Sequence, residues 1–259
     1  MAHLFKHGLG DDLYANQKKM YLEFFHVPSG RMVAFKAYLE SYSDNYSQEW
    51  NSIEAFGRMD NIELFKKTSR TISVGWKTVS ASLEESVENM RKAQTFIKML
   101  YPSYVPVSGK NKFSASSLAA SPLLKFRFVN LVSDRDAGNT VNAKTLRKGK
   151  MRLNSKHGNA ADSGLLGHCA GVTYAPDLEE GFFDPKSAML FPKTVTFEIE
   201  FTVIHTHALG WDTTGGERTK SFKNFPFGLE ADKLLGKERV VSPKGSKKKQ
   251  KKALKKRKN

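Results

Sequence analysis

Residues 82–100 (SLEESVENMRKAQTFIKML) carry a helix signal that the rest of the chain does not match, and strand-like alternation lies on both sides of it. Ser82 is a helix-capping residue, and Glu85 three positions later completes a capping box, in which each residue satisfies a backbone N–H near the other. Glu84, Glu85 and Glu88 sit at the positive end of the helix dipole and Lys98 near its negative end. Leu83, Val87, Met90, Ala93, Ile97 and Leu100 repeat at helical spacing as one apolar stripe, and Pro102 bars continuation. A single amphipathic helix must cover its stripe with something else. The surrounding chain supplies sheet, so the expectation is a mainly β fold with one flanking helix.

Several stretches alternate with a period of two. From Met32, the residues Val33, Phe35, Ala37 and Leu39 fall on one face. Over 69–79, Ile72, Val74 and Trp76 do the same, followed by Phe126 and Phe128 within 124–132 and by a segment at 165–174. The clearest run is 194–207 (TVTFEIEFTVIHTH), with Val195, Phe197, Ile199, Phe201 and Val203 on one side and a Thr- and Glu-rich opposite side. Such half-solvated strands suit an antiparallel sheet. Residues 1–31 lack sustained periodicity and read as an arm or irregular lead-in, closed by a turn at 26–30. Between 42 and 56, Tyr42, Tyr46, Trp50 and Phe56 recur among polar residues and turn formers. That stretch reads as two turns joined by short extended pieces, either covering the sheet or forming an interface. Residues 104–121 read as a surface loop. Residues 134–163 form a long polar excursion, either given over to contacts or partly a hairpin.

Charge is concentrated at one end. The formal net charge is +16, but residues 244–259 (KGSKKKQKKALKKRKN) hold ten Lys or Arg and no acid. Without them 32 basic residues face 26 acidic ones, or +6. The organisation is therefore an arm (1–31), a β domain (32–236) and a basic tail (237–259). The tail cations Lys247, Lys248, Lys249, Lys251, Lys252, Lys255, Lys256, Arg257 and Lys258 have two readings. They form a solvated extension, or they bind nucleic acid or an acidic protein non-specifically and with strong salt dependence. No aromatic residue is present among them for base stacking. The single cysteine, Cys169, precludes an internal disulfide and points to a reducing compartment. Neither a signal-peptide-like apolar run nor an apolar stretch of membrane-spanning length is found, so a soluble chain with no membrane partner is expected.

No catalytic constellation is expected, and no metal or cofactor. His205 and His207, with His168 and Cys169, lack the spacing of a compact zinc module. Ser108-Gly109-Lys110 lacks the second glycine of a phosphate loop. Glu198 and Glu200 read as the solvated face of a strand. Gly57-Arg58-Met59-Asp60 is the more informative motif: glycine permits a tight turn, and Arg58 and Asp60 are able to pair with each other or towards Arg70. That pairing either staples the turn internally or holds a neighbouring subunit in register.

Phe35 through Tyr46 and Trp50, then FGRMD, TSRTIS, SLEESVENMRKA and MLYPSY, together resemble tail-tube-like and baseplate-hub proteins of contractile-tailed bacteriophages. Gly171-Val172, Asp177, Gly181-Phe182 and FPKTVTFEIEFTVIHTHALGW resemble that family's closing strands. The resemblance spans roughly residues 32–212, with departures at Asn61, where a proline is expected, and at Thr206, where an acid is usual. It implies an antiparallel β-sandwich or barrel of the tail-tube type with long loop excursions. It also implies a ring of copies, six in the family, around a channel for genome and tape-measure protein. Neighbouring tube and baseplate proteins would be partners, and the location would be the virion tail, after assembly in the host cytoplasm. The candidate interface residues are Tyr42, Tyr46, Trp50, Phe56, Gly57, Arg58, Asp60 and Arg70. The alternative is a nucleic-acid-associated protein that binds through its tail.

Overall fold

A computed structural model describes Ala15, Phe222 and residues 20–36, 38–54, 56–106, 116–129, 131–134, 159–183, 189–206, 208–219 and 225–227. The basic tail, most of the 134–163 excursion and most of the N-terminal arm lie outside the described residues.

The fold is mainly antiparallel β with a flanking helix, as expected. Its strands are β1 (Tyr21–His26), β2 (Arg31–Lys36), β3 (Tyr38–Ile53), β4 (Ile62–Val79), β5 (Ser103–Pro106), β6 (Ser116–Ala120), β7 (Leu124–Phe128), β8 (Leu165–Pro176), β9 (Phe182–Phe183), β10 (Phe191–Pro192) and β11 (Thr194–Val203). Helix α1 spans Leu83–Lys98, and the single-turn α2 spans Ala160–Ser163. One seven-stranded sheet runs β2-β1-β7-β8-β11-β4-β3, and β5–β6 and β9–β10 form small two-stranded pairs.

The sheet curls strongly. Strands β2 and β11 are four places apart, which in a flat sheet would separate them by about 19 Å. Yet the rings of Phe35 on β2 and Phe197 on β11 lie 5.2 Å apart, and Phe35 also meets Trp76 on β4 at 5.5 Å. The two edge strands, β2 and β3, are separated by one residue in the chain. The sheet therefore turns back towards its own beginning. Phe24 stacks on Phe126 at 4.7 Å and Trp76 on Phe197 at 5.0 Å, so the concave side is filled by large rings. Such rings each bury roughly 150–250 Å² and dominate the packing energy.

Helix α1 plugs this concavity. Phe96 reaches Phe24 at 4.5 Å and Phe35 at 6.0 Å. Its buried residues are Glu85, Ser86, Ala93 and Phe96, so the inner face is rotated from the expected stripe, whose Leu83, Val87, Met90 and Ile97 are only half-buried. The capping box is present in altered form. Ser82 Oγ accepts from the Glu85 N–H at 3.2 Å, while Glu85 Oε2 accepts from Ala81 N at 2.8 Å. Glu85 Oε1 also accepts from Lys36 Nζ at 2.7 Å, with both side chains buried. Its second job, neutralising a cation at the end of β2, explains why a charged residue takes an inner position.

Five sequence readings need correction. The lead-in contains β1, whose Leu22 and Phe24 are fully buried in mid-sheet. Its Glu23 hid the strand, because the partner that neutralises it, Arg127 (2.9 Å), is remote in sequence. The 104–121 loop contains β5 and β6, which pair Tyr104 with Leu118. Strand β4 begins at Ile62 rather than 69, and the strand expected at 194–207 stops at Val203. The largest correction concerns 42–56: Tyr42, Tyr46 and Trp50 lie on one continuous sixteen-residue strand, β3, rather than on turns joined by short pieces, and only Phe56 falls in a turn.

Candidate subunit interface

Strand β4 pairs with β11 only from Thr71 to Val79, but with β3 from Ile62 to Lys77. From Ile62 to Arg70 it has β3 alone as a neighbour among the described residues. At about 3.3 Å per residue, these nine residues give a two-stranded arm about 30 Å long that projects beyond the sheet. All the interface candidates from 42 to 70 lie on this hairpin or at its root.

The root is a charged clamp. Arg70 is 1% exposed and grips Asp44 through both ends of its guanidinium, Nε to Oδ1 at 2.9 Å and Nη2 to Oδ2 at 2.7 Å. Its charged carbon lies 5.2 Å from the Tyr46 ring centroid and 5.4 Å from that of Phe225, a cation held between two aromatic faces. Tyr46 Oη donates to Asp44 Oδ2 at 3.0 Å. Burial opposes the Arg70 charge. The hydrogen bonds it donates to Asp44, and the nearby Tyr46, Asp44 and Tyr42, outweigh it and raise the pKa. Burial first, then Asp44, pushes the Tyr42 phenol up to about 12, and burial also raises that of Tyr46. Arg70 therefore pairs with Asp44 rather than Asp60. It is an internal support for the arm, and Tyr42 is a core-side ring.

Beyond the root the arm exposes apolar side chains on both faces, among ion pairs of Glu49 with Lys66 and Lys67 and a hydrogen bond from Ser52 to Glu63. Trp50 stands opposite Phe65, with their rings 5.3 Å apart. On the other face Ile53 stands opposite Ile62 and Asn51 opposite Leu64. A bulge after Glu49 shifts the register by one residue at Lys66, which puts Phe65 on the same face as Trp50. Trp50, Ile53, Ile62, Leu64 and Phe65 are all exposed. At the tip, Gly57 takes φ of 81°, the left-handed conformation that glycine permits. Phe56 and Met59 flank it at 110% and 101% exposure. Arg58 and Asp60 are exposed there too.

Sequence reasoning missed Asp44, Phe65, Met59 and Phe225. Asp44 and Arg70 are joined only by the β3–β4 register, and Phe65 changes face only because of the bulge. Neither leaves a local signal. The nine tail cations fall outside the described residues. Among the described residues, no three His, Cys, Asp or Glu side chains gather as metal ligands, and no helix is long and apolar enough to cross a membrane. Burial pushes the Cys169 thiol up to about 12, away from nucleophilic use near neutral pH.

Comparison with known proteins finds no matching family profile and no matching curated protein. Among solved structures, a chain from the cryo-EM structure of the anti-feeding prophage baseplate, six-fold symmetrised, is similar over 70% of this chain and 87% of that one. The identity is 10% and the TM-score 0.24, an overlap too loose to bear an argument.

Proposed function

We propose that the chain is a structural subunit of a phage-type tail, forming or nucleating the tail tube or a baseplate-hub ring around the channel for genome and tape-measure protein. No reaction belongs to this role. The observation that carries an assembly role is the arm: a ribbon with Trp50 and Phe65 on one face, Ile53, Ile62 and Leu64 on the other, and Phe56 and Met59 at its tip. Exposed apolar surface of this kind marks a protein interface, and covering both faces of a ribbon requires a partner that surrounds it. The tail assignment is supported by the sequence resemblance over residues 32–212. A heterologous contact that closes by rotation gives a ring, and one that does not gives a filament.

Electron microscopy of the purified chain, alone and with tail components of the same phage, tests this role. Rings or incorporation into tail particles are expected. A strict monomer that never joins those components overturns the proposal.

The ten basic residues at 244–259 favour a second reading, nucleic-acid association through the tail. A chain ending at Pro243 separates the two. Retained assembly supports the structural role, whereas joint loss of assembly and of low-salt DNA binding supports the second.

A further inference from the structure

The molecule also carries a recess to match the protruding arm. Where α1 ends and β7 begins, Leu100, Ser121, Pro122, Leu123, His168 and Cys169 line an open groove of about 380 Å³. That is the lower end of the size range for sites that enclose a small ligand, roughly 300–1,000 Å³, and leaves room for one large aromatic side chain. Leu100, Pro122 and Leu123 supply the apolar part of the wall, beside Ser121, His168 and Cys169. The chain on either side of the wall exposes further apolar surface, at Tyr101, Tyr104 and Leu118. Tyr104 and Leu118 are directly paired across β5 and β6. The groove is therefore continuous in the chain with an exposed apolar patch, the kind of surface that a protein partner covers.

We infer that the arm tip of one copy docks on the next copy with Phe56 inserted in this groove. The inference rests on the assembly role proposed above and names the contact that makes it. Phe56 and Met59 are essentially as exposed as free side chains, and burying such a ring removes roughly 150–250 Å² from water. A copy is unable to fill its own groove with its own tip. Strand β8 meets β7 and β11 at Gly167, and Thr202 of β11 faces Thr71, where the arm leaves the sheet. The groove thus lies near the arm's origin, while the tip is about 30 Å further out along an extended ribbon. Protrusion and recess are different patches of one molecule, so their union is heterologous, and each docked copy leaves one arm and one groove open for the next.

The test uses the full chain with a photoreactive benzoylphenylalanine at position 56, which keeps an aromatic ring there. Irradiation is expected to give crosslinked dimers and higher species, with the crosslinks mapping to Leu100, to 121–123 or to 168–169. Ser121→Arg, at an exposed position in the groove, should reduce crosslinking at least about tenfold without changing the melting temperature, since a plug in a hot-spot pocket removes its energy. Phe56→Asp, an exposed change that folding tolerates, should weaken self-association in sedimentation by about thirtyfold. Crosslinks that map elsewhere on the neighbour, or a yield that Ser121→Arg leaves unchanged, overturn the docking mode and leave the assembly role standing. A chain that stays monomeric at every concentration also overturns it. The assembly role then falls only if the chain fails as well to join tail components.

Discussion

The two halves of strand β4 share a backbone conformation and a partner strand, yet their surroundings are opposite. From Thr71 to Lys77 it lies between β11 and β3, with Ile72, Val74 and Trp76 buried. From Ile62 to Arg70 it has only β3 among the described residues, and Leu64 and Phe65 are exposed. A two-stranded ribbon alone is marginal in water, whereas a multistranded sheet with a packed face is stable. The inner half therefore holds the fold together, and the outer half is held by it. Substitutions should divide along the same line.

The largest effect is expected from Trp76→Ala, which removes a fully buried ring packed on Phe197, Phe35 and Phe24. It should cost about 3–5 kcal/mol of global stability by denaturant titration. A smaller loss would mean that α1 and the curled sheet collapse to refill the space. Next comes Arg70→Ala at the boundary, which strands the buried Asp44 carboxylate and should cost about 3 kcal/mol. Amide exchange in 45–53 and 62–69 should accelerate more than in 72–78, and equal acceleration would erase the division between the halves.

Alkaline pH probes the same boundary more gently. The Tyr42 phenol titrates near 10 when unfolded and at about 12 when folded, and the Cys169 thiol near 9 and about 12. In each case the folded state holds its proton more tightly, so the contribution is complete below the unfolded value and is lost as pH rises towards 12. The melting temperature should decline between pH 9 and 12. Tyr42→Phe should lessen the part that begins near 10, which the buried Tyr46 phenol shares, and Cys169→Ala should remove the part that begins near 9. The smallest effect belongs to Phe65→Ala, an exposed change expected to alter stability by less than about 0.5 kcal/mol. Its consequence should appear in assembly assays, and a large loss of monomer stability would show that the outer half supports the fold after all.

Legibility from sequence followed the same boundary. The strand at 194–203 and the inner part of β4 were plain because one face is buried and the other solvated, which writes a period of two into the residues. Helix α1 was plain from its cap, although its buried face was misjudged: Phe96 points inward and Glu85 is held inside by Lys36. Strand β1 was hidden because Glu23 interrupts its apolar residues and finds Arg127 only after folding. The sequence marks the arm as an aromatic stretch but not as a strand. With both its faces exposed, no alternation separates inside from outside. What marked it was the presence of rings that no solvated loop requires.

The single residue between β2 and β3 has a mechanical consequence. Force applied at the arm tip enters the body along two chains at once. Strand β4 passes its share in shear to the nine residue pairs it makes with β11, while β3 leads through position 37 into β2 and so to β1 at the other side of the sheet. Shear along a ladder loads many hydrogen bonds together, so the β4 path does not unzip pair by pair. A subunit pulled by its neighbour would thus bear the load through its whole curled sheet, with the Lys36–Glu85 pair bracing α1 beside the junction.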